Sequence, residues 1–189
     1  MKPICFLTLV CLLFLTACTP VSADPLAYQN DALSLTLQGQ LDGVEFSAEL
    51  VLSPCDADAG EMIDRRDFVL IYTAPSTLEG LTVARSAGEM TLSRGAVTLP
   101  LADGLTDLAA PAELFCIDCV LGSAEVIQQN GTTLNRISVT DDEGRYILWL
   151  DTEGFPRRIE ATLRGREIWI DLLGTQPENT IEKGTTAYP

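Results

Sequence analysis

Apolar and polar residues alternate along most of this chain, and the alternation predicts strands. Ala32 to Leu52 reads ALSLTLQGQLDGVEFSAELVL. Leu33, Leu35, Leu37 and Leu41 lie on one side of the pattern. After Asp42-Gly43, Val44, Phe46, Ala48, Leu50 and Leu52 continue it. Period two on both sides of an Asp-Gly pair predicts a β-hairpin with one apolar face and one wet face. Phe68 to Tyr72 (FVLIY) is a short continuous apolar run closed by Ala74-Pro75, and it predicts a strand buried on both faces. Leu81–Arg85, Glu89–Ser93 and Ala96–Leu101 follow as short strands, separated by Ala87-Gly88 and Arg94-Gly95 as turns.

Thr106 to Val120 (TDLAAPAELFCIDCV) is the one stretch that suits a helix, and Pro111 places the helix start near itself, because proline fits a first turn. Strands then resume. Ser123–Gln129 and Thr132–Thr140 flank Asn130-Gly131, a second hairpin signal. Gly144–Asp151 follows an acidic turn, and Pro156–Leu163 and Arg166–Leu173 flank Arg164-Gly165. The connections are short, so pairing is sequential and antiparallel. The expected fold is mainly β: a curved antiparallel sheet or incomplete β-barrel of about ten strands covering one or two helices. Ser53 to Asp67 breaks the pattern and reads as an acidic loop.

The N-terminus follows a different rule. Lys2 precedes an uncharged, mostly apolar run from Ile4 to Thr16. A membrane-spanning helix needs roughly 20 apolar residues, so this run suits the apolar region of a secretory signal. It ends in Leu15-Thr16-Ala17-Cys18, which looks like a bacterial lipobox. That chemistry needs a thiol to take the lipid and small side chains before the scissile bond. The expected organisation is a cleaved signal over 1–17, cut between Ala17 and Cys18. A lipidated Cys18 with a flexible tether follows over 18–31, then one domain over 32–174 and a polar tail over 175–189. Two or more acyl chains on Cys18 would hold the domain stably on the extracytoplasmic face of the cell membrane, or of an outer membrane if the cell has one.

Composition narrows the function. Twelve Lys and Arg stand against 27 Asp and Glu, for a net charge of −15, and the sequence contains no histidine. An acidic chain has no footprint for phosphate backbones, so nucleic acid is excluded as a partner. Without histidine there is no Ser-His-Asp or Cys-His nucleophile and no His-ligated zinc. Hydrophobic residues make up 47 %, too many for a disordered chain.

Tyr146-Ile147-Leu148-Trp149-Leu150-Asp151-Thr152-Glu153-Gly154-Phe155-Pro156-Arg157-Arg158-Ile159-Glu160 resembles a Trp-to-Glu hairpin of the LolA/LolB-like superfamily. Tyr72 to Leu81 resembles the strand and turn found in lipoprotein members of that group. With the first hairpin, the resemblance covers most of Ala32 to Leu173. It implies an incomplete antiparallel barrel wrapped over helices, with an apolar cavity. Carriers of the group hold lipoprotein acyl chains there, and other members bind lipid or act as adaptor lipoproteins. Phe46, Leu50, Tyr72, Leu148, Trp149, Ile159 and Trp169 are the candidate core or cavity wall. A lipidated Cys18, the lack of a long N-terminal helix and the lack of a counterpart to the receptor's exposed leucine set this chain apart from the shuttles. Fold and cavity therefore carry over, and carrier activity does not.

Cys116-x-x-Cys119 is the most tempting chemical motif. Its position late in the expected helix, with Asp118 and Glu113 close by, opposes thiolate formation. With Cys5 and Cys11 in the signal and Cys18 lipidated, Cys55, Cys116 and Cys119 remain, and any two of them can form a structural disulfide outside the cell. Asp56-Asp58-Glu61-Asp64 and Asp141-Asp142-Glu143 offer oxygens for calcium but lack the rest of a binding loop, so solvated turns are expected. Arg157, Arg158, Arg164 and Arg166 gather near the last hairpin, where pairing with Glu160 and Glu167 is expected. The reading is a non-enzymatic, membrane-anchored extracytoplasmic lipoprotein without cofactor or metal. It binds a lipid or acyl ligand in a half-barrel cavity or serves as an adaptor for an envelope protein. The alternative is an envelope thiol-redox protein, or another envelope enzyme, using Cys116 and Cys119.

Overall fold

The computed structural model describes residues 24–54, 66–117, 120–140, 144–163 and 165–177. Eleven strands make one sheet: β1 (Leu33–Leu41), β2 (Val44–Leu52), β3 (Phe68–Ala74), β4 (Leu81–Ser86), β5 (Glu89–Arg94), β6 (Val97–Pro100), β7 (Val120–Gln129), β8 (Thr132–Thr140), β9 (Gly144–Leu150), β10 (Pro156–Leu163) and β11 (Arg166–Pro177). Their order is β6-β5-β4-β3-β2-β1-β11-β10-β9-β8-β7, and every pairing is antiparallel. The sheet does not close, so β6 and β7 remain as edges. Register shifts at Thr36/Leu37, Ser47/Ala48, Pro156/Arg158 and Leu121/Ala124 bend it.

The hairpins form for local reasons. Asp42-Gly43, Ala87-Gly88 and Asn130-Gly131 each place two successive residues at positive φ, the twist that matches paired strands. The β9–β10 hairpin is built differently. One carboxylate oxygen of Asp151 accepts from the amides of Glu153 and Phe155, both at 2.9 Å, and the other accepts from Arg157. Gly154 supplies the positive φ. This gives a physical reason for the Asp, Gly and Arg of the Trp-to-Glu hairpin. Replacing Asp151 with alanine is expected to cost about 1–3 kcal/mol, because two part-buried amides lose their acceptor and Arg157 its partner. Asp151→Asn should cost less, since it keeps the amide acceptor and loses only the ion pair. Urea denaturation of both variants checks the ranking.

The apolar core lies on the concave side. Leu35, Leu37, Phe46, Ala48, Leu50, Phe68, Leu70, Tyr72 and Val83 supply it from one half of the sheet, and Val139, Tyr146, Leu148, Ile159, Ile168 and Ile170 from the other. Residue 39 on β1 must be glycine-sized, because a Cβ there would lie 2.3 Å from the Trp169 carbonyl oxygen and 2.9 Å from the Phe46 ring.

The segment joining β6 to β7 fills the middle of the concave side. Asp103–Ala109 is a 3-10 helix and Ala110–Glu113 a single α-helical turn. Ala109, Ala112, Leu114, Phe115 and Ile117 are all fully buried. The expected helix over Thr106–Val120 is thus corrected to one that ends at Glu113. Its continuation is unnecessary, because the Phe115 carbonyl accepts from Arg66 at 3.1 Å and the Ile117 carbonyl from Gln29 at 3.3 Å.

Four further expectations are corrected. β3 is buried on one face only, with Val69 39 % exposed on the other. The tether does not reach residue 31: Ala27–Asn30 is a 3-10 turn whose Tyr28 and Gln29 are buried, with Tyr28 edge-on to Phe155 at 6.3 Å. The last strand passes the expected boundary at 174, since Leu33 pairs with Pro177. Trp149 and Trp169 leave the core, because their buried neighbours Leu148, Leu150, Ile168 and Ile170 take the inner face.

Candidate functional site

The concave side is covered at its centre and bare at its margins. Residues paired across antiparallel strands share a face, so the register traces each apolar row outward. Buried Val83 pairs with Leu92, and Leu92 with Leu99, which is 58 % exposed. Leu81 pairs with Arg94, and Arg94 with Val97, which is 61 % exposed. At the other margin Leu150 pairs with Asn135, and Asn135 with Val126, which is 66 % exposed. The rows that build the core therefore run out from beneath the covering segment onto β5–β6 and onto β7.

Polar groups fix the cover. Tyr72 donates its hydroxyl to the Leu108 carbonyl at 2.8 Å, and its ring meets Phe46 edge-on at 5.8 Å. Burial pushes that hydroxyl well above the ordinary phenol range, so it stays protonated and remains a donor. Arg85, on the core-facing row of β4, donates to Glu113 at 3.0 Å and lies over the Phe68 ring at 5.0 Å. Arg66 is fully buried and donates to the carbonyls of Ser53, Phe115 and Asp31, at 2.7, 3.1 and 2.6 Å.

Of the seven candidate core or cavity residues, Phe46, Leu50, Tyr72, Leu148 and Ile159 are buried on the concave side. Trp149 and Trp169 are on the convex side. Trp149 alternates with buried Leu148 and Leu150, and Trp169 with buried Ile168 and Ile170, so period two turns both rings outward. There Arg136 lies over Trp149 at 5.6 Å and Arg158 over Trp169 at 4.8 Å. Arg158 also pairs with Glu160 and Asp171, and Arg136 with Glu125. An open hollow of about 370 Å³ adjoins this row, lined by Arg145, Ile147, Arg158, Glu160, Glu167 and Trp169.

The C-terminal arginines are mostly held by partners other than those expected. Arg157 pairs with Asp151 at 2.8 Å, and Arg166 with Asp42 and Asp107. Among the described residues only the Arg158–Glu160 pair follows the expectation. Cys116 is buried and lies beyond the short helix rather than within it. Ala17, Cys18, Cys55, Cys119, Arg164 and both acidic clusters lie outside the described residues. Among the described residues no group of three or more His, Cys, Asp or Glu could hold a metal. No described helix is long and apolar enough to cross a membrane. Sequence reasoning missed Arg66, Arg85 and Gln29, whose partners lie far away in the chain, and it missed Arg94. The Leu92-x-Arg94 spacing, which puts a charge on the apolar row of β5, was the available signal.

No family model and no curated protein sequence matches the chain. Solved structures do match, and they include members of the superfamily that the Tyr146–Glu160 hairpin resembles. An uncharacterised conserved protein from Thermus thermophilus aligns at 14 % identity with a TM-score of 0.49, over 88 % of this chain and 91 % of that one. A LolA superfamily protein from Nitrosomonas europaea aligns at 12 % identity with a TM-score of 0.40, over 80 % and 88 %. MucB, in its Pseudomonas aeruginosa complex with MucA, aligns at 17 % identity with a TM-score of 0.46. That match covers 84 % of this chain but only 56 % of the other. These are likenesses of fold.

Proposed function

We propose that this chain is a membrane-anchored extracytoplasmic lipoprotein, attached through Cys18, that binds an apolar lipid or acyl ligand on its concave side without catalysing a reaction. The carrying observation is the pair of apolar margins, Leu99 and Val97 on β6 and Val126 on β7, which continue the core rows beyond their cover. Such a surface excludes water only when something apolar lies on it. The lipobox Leu15 to Cys18 supports the address. The absence of histidine from the sequence supports a non-enzymatic role.

A neutral fluorescent probe, N-phenylnaphthylamine, tests the reading on full-length protein held in phosphatidylcholine vesicles. Saturable fluorescence above that of empty vesicles is expected. It should fall about tenfold in apparent affinity in Leu99→Glu, because a carboxylate would be buried under the ligand. A signal that scales with vesicle lipid alone, and is equal in the variant, would contradict the proposal.

The adaptor reading is favoured by one separate observation. Trp149 and Trp169, with Arg136 and Arg158 stacked on them, stand on the convex face, and tryptophan and arginine dominate protein interfaces. A partner bound there would leave the concave side free, so the two roles are compatible.

A further inference from the structure

Arginine is the only cation available within the described residues, since the two lysines, Lys2 and Lys183, lie outside them. Arg66, Arg85, Arg136, Arg157, Arg158 and Arg166 each have hydrogen-bond or carboxylate partners. Among the described residues, Arg94 and Arg145 have none. Arg145 lies on the wet convex side, in a hollow that already holds Glu160 and Glu167. Arg94 is different. It pairs in register with Leu81 on one side and Val97 on the other, so it lies on the concave row, next to the one that Leu92 and Leu99 form.

This placement constrains any ligand. An apolar chain laid on Leu99 and Val97 would strip water from the neighbouring guanidinium, and burying an unpaired charge is strongly unfavourable. A ligand carrying its own anion removes that cost and gains a charge-assisted, bidentate pair. The net charge of −15 repels anions at long range, but screening at physiological salt confines that field to about 8 Å, so Arg94 governs at contact. The bare strip spans β5 and β6, roughly 10 Å at normal strand spacing, which suits one chain better than a bilayer surface.

Building on the proposed concave-side binding, we propose that the β5–β6 margin is a site for a single-chain fatty-acid-type carboxylate. Its head pairs with Arg94, and its chain lies along Val97, Leu99 and Leu92. The site selects the anionic form over a neutral amphiphile of equal length.

Photolabelling of the full-length protein in phosphatidylcholine vesicles tests this. The probes are a diazirine-bearing palmitate, its diazirine-bearing hexadecanol counterpart and a diazirine-bearing phosphatidylcholine, with attachment mapped by peptide mass spectrometry. The palmitate probe is expected to label the Glu89–Leu101 region about tenfold more than the alcohol at equal concentration. In Arg94→Gln the preference should fall to about one, with weaker palmitate labelling and stronger alcohol labelling, because the carboxylate loses its partner and the alcohol no longer buries an unpaired charge. Arg94 is exposed and without a partner, so this variant keeps its fold. Equal labelling by acid and alcohol in the wild type, or an unchanged preference in Arg94→Gln, would overturn the anion site and leave concave-side binding standing. Labelling by neither probe would overturn both. Labelling of this region chiefly by the phosphatidylcholine probe would make it a membrane contact and overturn the fatty-acid site.

Discussion

Replacing Arg66 with methionine is expected to cost about 3–5 kcal/mol of folding stability, because three carbonyls each lose a charged donor. Methionine matches the stem of the side chain but donates nothing. The carbonyls of Ser53, Phe115 and Asp31 would then lose a donor, the Phe115 carbonyl in a buried site. Those carbonyls belong to the end of β2, the covering segment and the entry to β1, so one guanidinium joins three stretches distant in sequence. Arg66→Lys keeps the charge but not the fork, because an ammonium cannot present the same fixed set of planar donors. It should also destabilise, by less than methionine. Thermal denaturation reads the effect as a fall of about 10 °C for a domain of this size. A melting temperature within 2 °C of wild type in Arg66→Met would mean that the three carbonyls find other donors and that the residue is dispensable.

Truncating Phe115 to alanine carries a comparable penalty, about 3–5 kcal/mol. The ring is fully buried in the covering segment and belongs to the same core cluster as both halves of the sheet. The cover is anchored by its side chains and by the Arg85–Glu113 and Tyr72–Leu108 links rather than by helical length, since only Ala110–Glu113 is α-helical. Losing the ring should therefore loosen the cover before the sheet. Hydrogen exchange separates the two. Amides of Leu114 to Cys116 are expected to lose protection at denaturant concentrations where the β10–β11 ladder retains it. Uniform loss across both would show instead that cover and sheet open as one unit.

Most of the fold was legible because its determinants are local. Asp42-Gly43, Ala87-Gly88 and Asn130-Gly131 set their own turns, and the alternation around them assigns faces without reference to distant residues. The same alternation carried the information that turns Trp149 and Trp169 outward. The size and apolarity of indole suggested core, but the flanking Leu148, Leu150, Ile168 and Ile170 had already claimed the inner face. The covering segment was not legible because its end is set by donors 49 and 88 residues away, Arg66 and Gln29, which capture carbonyls that would otherwise continue a helix. The early end of the tether has the same origin, since Tyr28 and Gln29 look like linker residues until the surfaces that bury them are assembled. The bare margins depend on where the cover stops, so the candidate site could be read only after the cover was in place.

Native mass spectrometry of the full-length protein, extracted from membranes without organic solvent, would show whether the concave side carries a ligand. The expected spectrum shows a chain beginning at Cys18 with covalent acyl mass, plus a non-covalent adduct of single-chain lipid size that is released by mild activation and lost in Leu99→Glu. A spectrum showing only the polypeptide and its covalent modifications, identical in wild type and Leu99→Glu, would contradict ligand binding on the concave side.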